Sequence, residues 1–199
     1  MSLPVIQAPI GSASTPALAA AVSGAGGLGV LGLSWATVED AVRQVRETKR
    51  LTPRPFGVNV AMEWPQHKRL AACLAEGVRV VSTFWGDPSP YIDMIREAGA
   101  VHLHTVGSAQ EARRVADLGV DAVVAQGWEA GGHVWGTVST MVLVPSVVDA
   151  VKPCLEFPFG MRTRERGAQP SGLGVHPGDD PVPPVHTSRA HPAAFELQR

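Results

Sequence analysis

The chain has 199 residues, of which 45% are hydrophobic and 18% are charged, which is enough for one domain with a sizeable core. A formal net charge of -1 argues against a nucleic-acid partner, and no apolar run is long enough to cross a bilayer. The two cysteines, Cys73 and Cys154, lack the spacing of a metal site or a CxxC pair, and the first residues lack the positive region of a signal peptide. Together these features favour a cytoplasmic protein with no nucleic-acid or membrane partner.

The predicted elements begin with a short strand and a helix of small residues. Residues 5–8 form an apolar run typical of a buried strand, and Thr15 followed by Pro16 predicts a helix that continues to about residue 23. The run GAGGLG at 24–29 matches the dinucleotide-binding pattern GxGxxG. That pattern must follow a strand and open a helix, whereas this run follows a helix and leads into a strand at 28–31. We therefore interpret it as a helix end and a tight turn.

Helices and strands then alternate along the chain. Val38, Ala41, Val42 and Val45 recur with helical spacing and predict an amphipathic helix, which is followed by a strand at 56–60. Three further helix–strand pairs follow, with helices at about 65–76, 89–98 and 108–118 and strands at 78–83, 100–106 and 120–125.

A glycine joins the helix to the strand in each of these three pairs, at Gly77, Gly99 and Gly119. Strands that alternate with helices at this period predict βαβ units and a parallel sheet. The strands are nearly continuous apolar runs, as expected when both faces of a sheet are covered. Because six strands are predicted and no dinucleotide fingerprint stands in the right place, a (β/α) barrel is favoured over a doubly wound sheet.

A sixth helix is predicted at 144–151, with Pro145 near its start, and the composition then changes. Residues 152–199 contain eight of the 17 prolines in the chain and no strand-length apolar run. Proline-rich segments of this kind are typically extended or disordered. The sequence therefore predicts an α/β protein with two parts, an incomplete (β/α)-barrel domain of about six βα units at 1–151 and an irregular Pro-rich tail at 152–199.

The stretch richest in candidate chemistry follows the sixth predicted strand and has the sequence QGWEAGGH, from Gln126 to His133. Its three glycines allow the backbone to approach a planar or anionic ligand, because no Cβ stands in the way. Histidine is the side chain that exchanges protons near neutral pH, so His133 is a candidate proton-transfer group. An ordinary strand-to-helix loop with a solvated histidine explains the same residues. Asn59, at the end of an apolar strand, is likewise either a turn-forming residue or an amide directed at a ligand.

His102 and His104 alternate along one predicted strand. An HxH pair can bind a metal, but no third ligand has supporting spacing, so we predict no metal site and favour a packed or site-lining role. Tryptophans follow several strand ends, and two of them, Trp85 and Trp128, are candidates to wall an apolar substrate pocket.

Four segments, in this order, resemble the nitronate monooxygenase family, formerly called 2-nitropropane dioxygenases. They are PVIQAPI at 4–10, AGGLG at 25–29, FGVNV at 56–60 and AQGWEAGGH at 125–133. The resemblance extends from about residue 3 to residue 151 and stops there. The chain is therefore similar to a family member that is truncated or frame-shifted after about residue 151.

The resemblance implies a TIM (β/α)8-type barrel that binds FMN at the carboxyl ends of its strands, where barrel enzymes place their chemistry. The implied activity is FMN-dependent oxidation of nitronates or nitroalkanes by molecular oxygen, with a small molecule as the partner. His133 would act as the catalytic base or bind the substrate nitro group. The implied cofactor-binding residues are Ala8, Pro9, Ile10, Asn59, Gln126, Gly131 and Gly132.

Two other hypotheses stay open. One is an enoyl-thioester reductase on a similar flavin barrel, which would need a nicotinamide donor. The other is an inactive fragment, because barrels commonly build the phosphate site from the loops after strands seven and eight, and nothing after residue 151 resembles those segments. An incomplete barrel also leaves its first and sixth strands with unpaired edges, which predicts low solubility or self-association.

Overall fold

The computed structural model describes residues 1–151, in which helices and strands alternate. The strands are β1 (Gly29–Gly32), β2 (Phe56–Ala61), β3 (Val80–Phe84), β4 (Val101–Val106) and β5 (Ala122–Ala125). The helices are α1 (Pro16–Gly24), α2 (Val38–Leu51), α3 (His67–Ala75), α4 (Ile92–Glu97), α5 (Ala109–Asp117) and α6 (Thr140–Val151). Single 3-10 turns precede α1 and α4, at Gly11–Ala13 and Ser89–Tyr91. The tail predicted at 152–199, with Cys154, lies outside the described residues.

The five strands form one parallel sheet whose order, β1-β2-β3-β4-β5, is the order of the chain. In this register Asn59 of β2 lies between Gly32 of β1 and Ser82 of β3. A helix stands between every two successive strands along the chain. This arrangement confirms the predicted α/β class and the partial (β/α)8-type barrel.

The first predicted strand, at residues 5–8, is reduced to a single parallel bridge between Ile6 and Leu28. Leu28 N donates to the carbonyl of the residue before Ile6, and Leu28 O accepts from the amide of the residue after it, both at 2.9 Å. Pro4 and Pro9 flank this segment and have no N–H to extend the ladder. Residues 1–151 therefore hold five strands and one bridged segment instead of the six strands predicted.

At the other end of the sheet, β5 has no strand on its outer side within residues 1–151, and Val124 in its centre is 38% exposed. An unpaired strand edge is a template for pairing with another chain. Self-association and low solubility therefore stay predictions, to be checked by light scattering on the purified protein.

The starts of α1 and α5 agree with capping signals in the sequence. Thr15 accepts a hydrogen bond from an amide of the first turn of α1 at 3.2 Å, and Pro16 is the first helical residue. Ser108 caps α5 in the same way, accepting from Glu111 N at 3.1 Å. Side-chain oxygens at these positions satisfy amides that have no partner inside the helix.

Helix α6 begins at Thr140, earlier than the predicted residue 144, so Pro145 lies inside the helix and not near its start. The amide of Thr140 donates to Glu129 Oε1 at 2.8 Å. A carboxylate from the preceding loop therefore stabilises the amino-terminal turn, as expected for a negative charge at a helix start. Proline is favoured in a first turn, which made residue 144 the predicted start, but the sequence did not show that Glu129 reaches the helix.

The helix-facing side of the sheet holds the main core. Its strand residues include Leu31, Val58 and Val81, which are fully buried in one cluster with Val45, Leu70 and Ile95 of the helices. The concave side carries a smaller apolar cluster that includes Leu28, Val30 and Leu103. Because successive strand residues face opposite sides, Asn59 and Ser82 lie on the concave side. Within residues 1–151 no helix combines the length and the apolarity needed to span a membrane.

The glycines predicted to join helices to strands adopt backbone angles that other residues avoid. Gly77, Gly99 and Gly119 have φ values of 82°, 64° and 91°. In the GAGGLG run, Gly26 has a φ of 102° and lies between α1 and β1. These left-handed angles terminate helices at no steric cost only in glycine, which confirms the run as a turn and not a dinucleotide site.

Cys73 lies in α3 and is 1% exposed, and burial raises the pKa of its thiol to about 11. Only the thiolate reacts with alkylating reagents, so we expect iodoacetamide at pH 8 to label Cys73 about a hundredfold more slowly than a free thiol. Peptide mass mapping separates Cys73 from Cys154 and measures the rate. Protein unfolded in urea is the control and should react at the ordinary rate; equal rates in the folded and unfolded protein would contradict the prediction.

Candidate functional site

One histidine lies among tryptophan rings at the carboxyl ends of the strands. The ring centroid of His133, after β5, is 5.9 Å from that of Trp35, after β1, and 4.9 Å from that of Trp85, after β3. Trp35 contacts Trp64, after β2, at 5.6 Å, and Trp85 contacts Trp135 at 6.4 Å. We call these five residues the aromatic enclosure. Loops after four different strands therefore converge around one imidazole.

Trp85 has a backbone conformation that bulky side chains rarely adopt. Its φ of 57° is the only left-handed value of a non-glycine residue within residues 1–151. The indole stacks on Phe84 at 4.7 Å, and its buried N–H has no hydrogen-bond partner in the same range. Backbone strain and an unpaired buried donor both cost free energy, and such costs concentrate at functional sites.

The side-chain amide of Gln126 holds the loop that carries His133. Its Nε2 donates to the backbone oxygen of His133 at 3.0 Å, and its Oε1 accepts from the amide of Trp135 at 3.0 Å. Both ends of the amide are therefore engaged with the loop. The geometry makes Gln126 a positioning residue for the enclosure, and its contact with a cofactor stays a prediction.

The two glycines before His133 leave space beside the loop. A Cβ added to Gly131 or Gly132 would meet no atom within 4 Å, and Gly132 has a left-handed φ of 79°. A side chain at either position would occupy this space, and at Gly132 it would also strain the backbone. The loop therefore offers bare backbone next to the imidazole.

Asn59 is a buried amide on the concave side of the sheet. Its Nδ2 donates to Ser82 Oγ at 3.0 Å and to Ser82 O at 3.3 Å. Within residues 1–151 its Oδ1 accepts no hydrogen bond. The side chain is therefore held in place through its nitrogen and keeps an acceptor available.

The segment Ala8, Pro9 and Ile10 crosses the carboxyl end of β1. Ser14 Oγ accepts from Ile10 N at 2.7 Å and from Gln7 Nε2 at 3.0 Å, and Gln7 Nε2 also donates to the carbonyl of Val30 in β1 at 3.1 Å. If Gly32 of β1 carried a Cβ, that atom would lie 3.3 Å from the backbone of Gly11. These contacts hold the segment at the carboxyl end of β1, beside Asn59 on the neighbouring strand β2.

His102 and His104 are packed on the helix-facing side of the sheet, and His104 also lines a cleft beside Trp85 and Trp135. Both are 3% exposed, and Thr83 Oγ1 lies 2.8 Å from His102 Nε2 and 2.7 Å from His104 Nδ1. Burial lowers the pKa of His102 to about 3 and that of His104 to about 4. Alternation along β4 indicated that the two share a side of the sheet, but not which side. Among the described residues no three His, Cys, Asp or Glu side chains are grouped to hold a metal ion.

A cleft of about 290 Å³ borders the enclosure, with Trp85 and Trp135 among its walls. Arg114 and Asp87 at its rim form an ion pair at 3.2 Å. The hydroxyl of Ser89 donates to the Asp87 carboxylate and is the largest of the contacts that hold the pKa of that group below its usual value. The two opposite charges at the rim are therefore already matched with each other.

Comparison with known proteins identifies the family. Residues 1–68 and 61–159 match the model of the nitronate monooxygenase family. The chain belongs to this family. A nitronate monooxygenase of Paraburkholderia phytofirmans is 37% identical, over 65% of this chain and 46% of the relative. A (3aS,4S,5R,7aS)-5-hydroxy-7a-methyl-1-oxo-octahydro-1H-indene-4-carboxyl-CoA dehydrogenase of Mycobacterium tuberculosis is 39% identical, over 74% of this chain and 42% of the relative.

Solved structures agree with the family assignment. FabK from Thermotoga maritima superposes with a TM-score of 0.74 at 37% identity, over 79% of this chain and 50% of that one. A nitroalkane oxidase from Streptomyces ansochromogenes gives a TM-score of 0.71 at 33% identity, over 75% of this chain and 56% of that one. The chain therefore spans about half the length of the relatives that it matches.

In this nitronate monooxygenase family member, the predicted site residues fall into two groups at one end of the sheet. Asn59 lies with the segment 8–10, and His133 lies with Gln126 and the two glycines. No hydrogen bond or ring contact joins the two groups within residues 1–151. Trp35 was not among the predicted residues, although it follows a strand end as the predicted tryptophans do. Trp128, which was predicted, makes no ring contact in the described range.

We expect Gln126→Ala to loosen the loop from residue 127 to residue 135. The variant loses both hydrogen bonds that tie the loop together, which lowers the free energy of unfolding by about 1–2 kcal/mol. Hydrogen exchange followed by mass spectrometry should show faster exchange in this loop. Gln44→Ala is the matched control, because the Gln44 side chain makes no hydrogen bond in the described range. Unchanged exchange in the loop of Gln126→Ala would show that the amide does not hold it.

Proposed function

We propose that the chain carries the His133 side of an FMN-dependent oxidoreductase site, which oxidises nitronates or nitroalkanes with molecular oxygen. The observation that carries the proposal is an exposed imidazole between two indole rings at the carboxyl ends of parallel strands. Barrel enzymes place their chemistry at this end. Membership of the nitronate monooxygenase family supports the class of reaction.

The residues at the site suit the ring of a flavin. Asn59 Oδ1 keeps an acceptor for a ring N–H, and the backbone at Gly131 and Gly132 borders open space that a planar group can use. FMN, when bound, supplies the electron transfer, which no side chain of the protein can perform. The residues proposed to hold it are Ala8, Pro9, Ile10, Asn59, Gln126, Gly131 and Gly132.

His133 is suited to act on the carbon that carries the nitro group. A nitroalkane must lose a proton from this carbon to become a nitronate, and an imidazole nitrogen can accept that proton. When the substrate is already a nitronate, an imidazole N–H can instead donate a hydrogen bond to a nitronate oxygen. Trp35 and Trp85 restrict the orientation of the ring, which keeps the proton acceptor directed at one place.

The second candidate function is an oxidoreductase that acts on a thioester, such as an enoyl-thioester reductase. Two relatives with 39% and 40% identity are named carboxyl-CoA dehydrogenases, and this similarity favours the candidate. A reductase of this kind takes its electrons from a nicotinamide donor. The proposed function therefore consumes oxygen, whereas the second candidate consumes a nicotinamide donor.

Oxygen uptake separates the two functions. Purified protein is mixed with FMN and either a nitroalkane or its nitronate, without NAD(P)H, and oxygen is followed with an electrode. The proposed function predicts uptake in this mixture. Reaction that occurs only with NAD(P)H and an enoyl thioester would overturn it in favour of the second candidate.

Flavin binding is measured on the same protein by its absorbance spectrum. The proposed function predicts a flavin band that survives desalting after FMN is added. A colourless protein that ignores added FMN would overturn the proposal and favour an inactive chain.

A further inference from the structure

The aromatic enclosure presents exposed rings to the space around His133. Trp35 is 58% exposed, Trp64 is 39% exposed and Trp135 is 46% exposed, although the three are connected by ring contacts through Trp85 and His133. Core packing does not account for indoles that stay exposed. Contiguous exposed aromatic surface in a concave setting is typical of a ligand-binding site.

The loops that follow the five strands carry negative charge only. Residues 33–37, 62–66, 85–91, 107–108 and 126–139 contain Glu63, Asp87 and Glu129, and they contain no lysine or arginine. Hydrogen bonds from the backbone at Glu129 and from Thr140 lower the pKa of the Glu129 carboxyl group, so it is ionised at neutral pH. The loops at this end of the sheet therefore combine aromatic rings with acids and contain no lysine or arginine.

Two arginines near these loops are already engaged. Arg114 pairs with Asp87 at 3.2 Å, and Arg69 Nε donates to the carbonyl of Ala36 at 2.7 Å. Lys68, in the first turn of α3, is exposed and makes no ion pair within residues 1–151. An exposed lysine attracts anionic substrates. The effect of Lys68 therefore has to be measured before a preference for neutral substrates is assigned to the aromatic enclosure.

We infer that the aromatic enclosure selects nitronates and nitroalkanes with an apolar carbon chain, and rejects those that carry a second anionic group. This inference rests on the proposed function. An alkyl group packed on Trp35 and Trp64 leaves water and gains dispersion contacts. A carboxylate in the same place loses its hydration, and the loops that follow the five strands offer it acids but no lysine or arginine.

A pair of substrates of the same shape isolates the effect of charge. In 3-methyl-1-nitrobutane an isopropyl group stands where 3-nitropropionate has its carboxylate. We expect kcat/KM for the neutral nitronate to exceed that for propionate 3-nitronate by about a hundredfold, from the cost of an unpaired carboxylate. Oxygen uptake by the FMN-loaded protein gives both values. Equal values, or a preference for the carboxylate, would overturn the inference.

Trp35→Ala tests whether the enclosure causes the preference. Removing one exposed wall should lower kcat/KM for the neutral nitronate about tenfold more than that for propionate 3-nitronate, because any loss of His133 orientation lowers both values alike. Trp128→Ala is the matched control, since Trp128 is 59% exposed and makes no ring contact in the described range. Lys68→Ala should change neither value. Loss of turnover of the carboxylate substrate in that variant would show that Lys68 recruits anions, against the inference.

A binding measurement separates this inference from the proposed function. Nitro compounds quench indole fluorescence, so 3-methyl-1-nitrobutane should quench the protein saturably without any turnover, whereas 3-nitropropionate should quench only in proportion to its concentration. Trp35→Ala should weaken the saturable component. Selective binding without oxygen uptake would refute the proposed function and keep the selectivity of the site. Oxygen uptake without selectivity would refute the inference and keep the function.

Discussion

We expect His133→Asn to lower kcat/KM for nitroalkane oxidation by about two to four orders of magnitude, because asparagine cannot accept a proton from the substrate carbon. The ring contacts to Trp35 and Trp85 are lost as well, but His133 is exposed and the fold does not depend on it. The measurement is oxygen uptake with matched nitroalkane and nitronate substrates.

The comparison of these substrates decides the role of the imidazole. If His133 is a base, the variant loses oxidation of the nitroalkane but keeps that of the nitronate, which needs no deprotonation. If it binds the nitro group, both activities fall together. The control is His67→Asn, which removes an exposed histidine from α3. Wild-type activity of His133→Asn with both substrates would contradict the proposal.

We expect the buried histidines to make the fold sensitive to acid. Burial lowers the pKa of His102 to about 3 and that of His104 to about 4, whereas in the unfolded chain both titrate near 6.5. Below pH 6.5 the unfolded state therefore binds protons that the folded state does not. The stability that these residues contribute is complete above pH 6.5 and falls as the pH decreases towards their folded pKa values. Between pH 7 and pH 5 the loss is on the order of 3 to 4 kcal/mol for the pair.

Urea unfolding at several pH values measures this loss. The variant His104→Asn should lose about half of the pH dependence, because one of the two titrating rings is gone. The variant His67→Asn, which removes an exposed histidine, is the control. Most carboxylates are common to all three proteins and cancel in the comparison; Asp87 does not cancel fully in His104→Asn, because His104 contributes to its lowered pKa. Identical slopes for His104→Asn and the wild type would contradict the assignment.

Local sequence signals were sufficient for most of the fold. These signals act over a few residues: helical spacing, caps such as Thr15 and Ser108, and left-handed glycines. They predicted the order and the approximate bounds of the helices and of five strands. The first strand was overestimated because an apolar run shows burial but not how many backbone amides are available between two prolines. The start of α6 was missed because it depends on Glu129, which the chain brings near only by folding.

The candidate site was predictable in its motif but not in its neighbours. The motif indicated His133, and the alternation of strands and helices indicated the end of the sheet at which it lies. Which rings meet it depends on how four loops turn after their strands, and no pattern within one loop encodes that. Trp35 therefore went unnoticed, and Trp128 was chosen although it makes no ring contact in the described range. Gln126 was predicted for a cofactor, whereas both ends of its amide bond to its own loop.

The agreement between strand order and chain order has a consequence for synthesis on the ribosome. Each new strand adds to the one made just before it, so the sheet can grow from the amino-terminal side without waiting for distant segments. Trp35, Trp64 and Trp85 emerge with the first three strands, long before His133 is translated. The nascent chain therefore contains three of the four tryptophans of the aromatic enclosure before its imidazole is made.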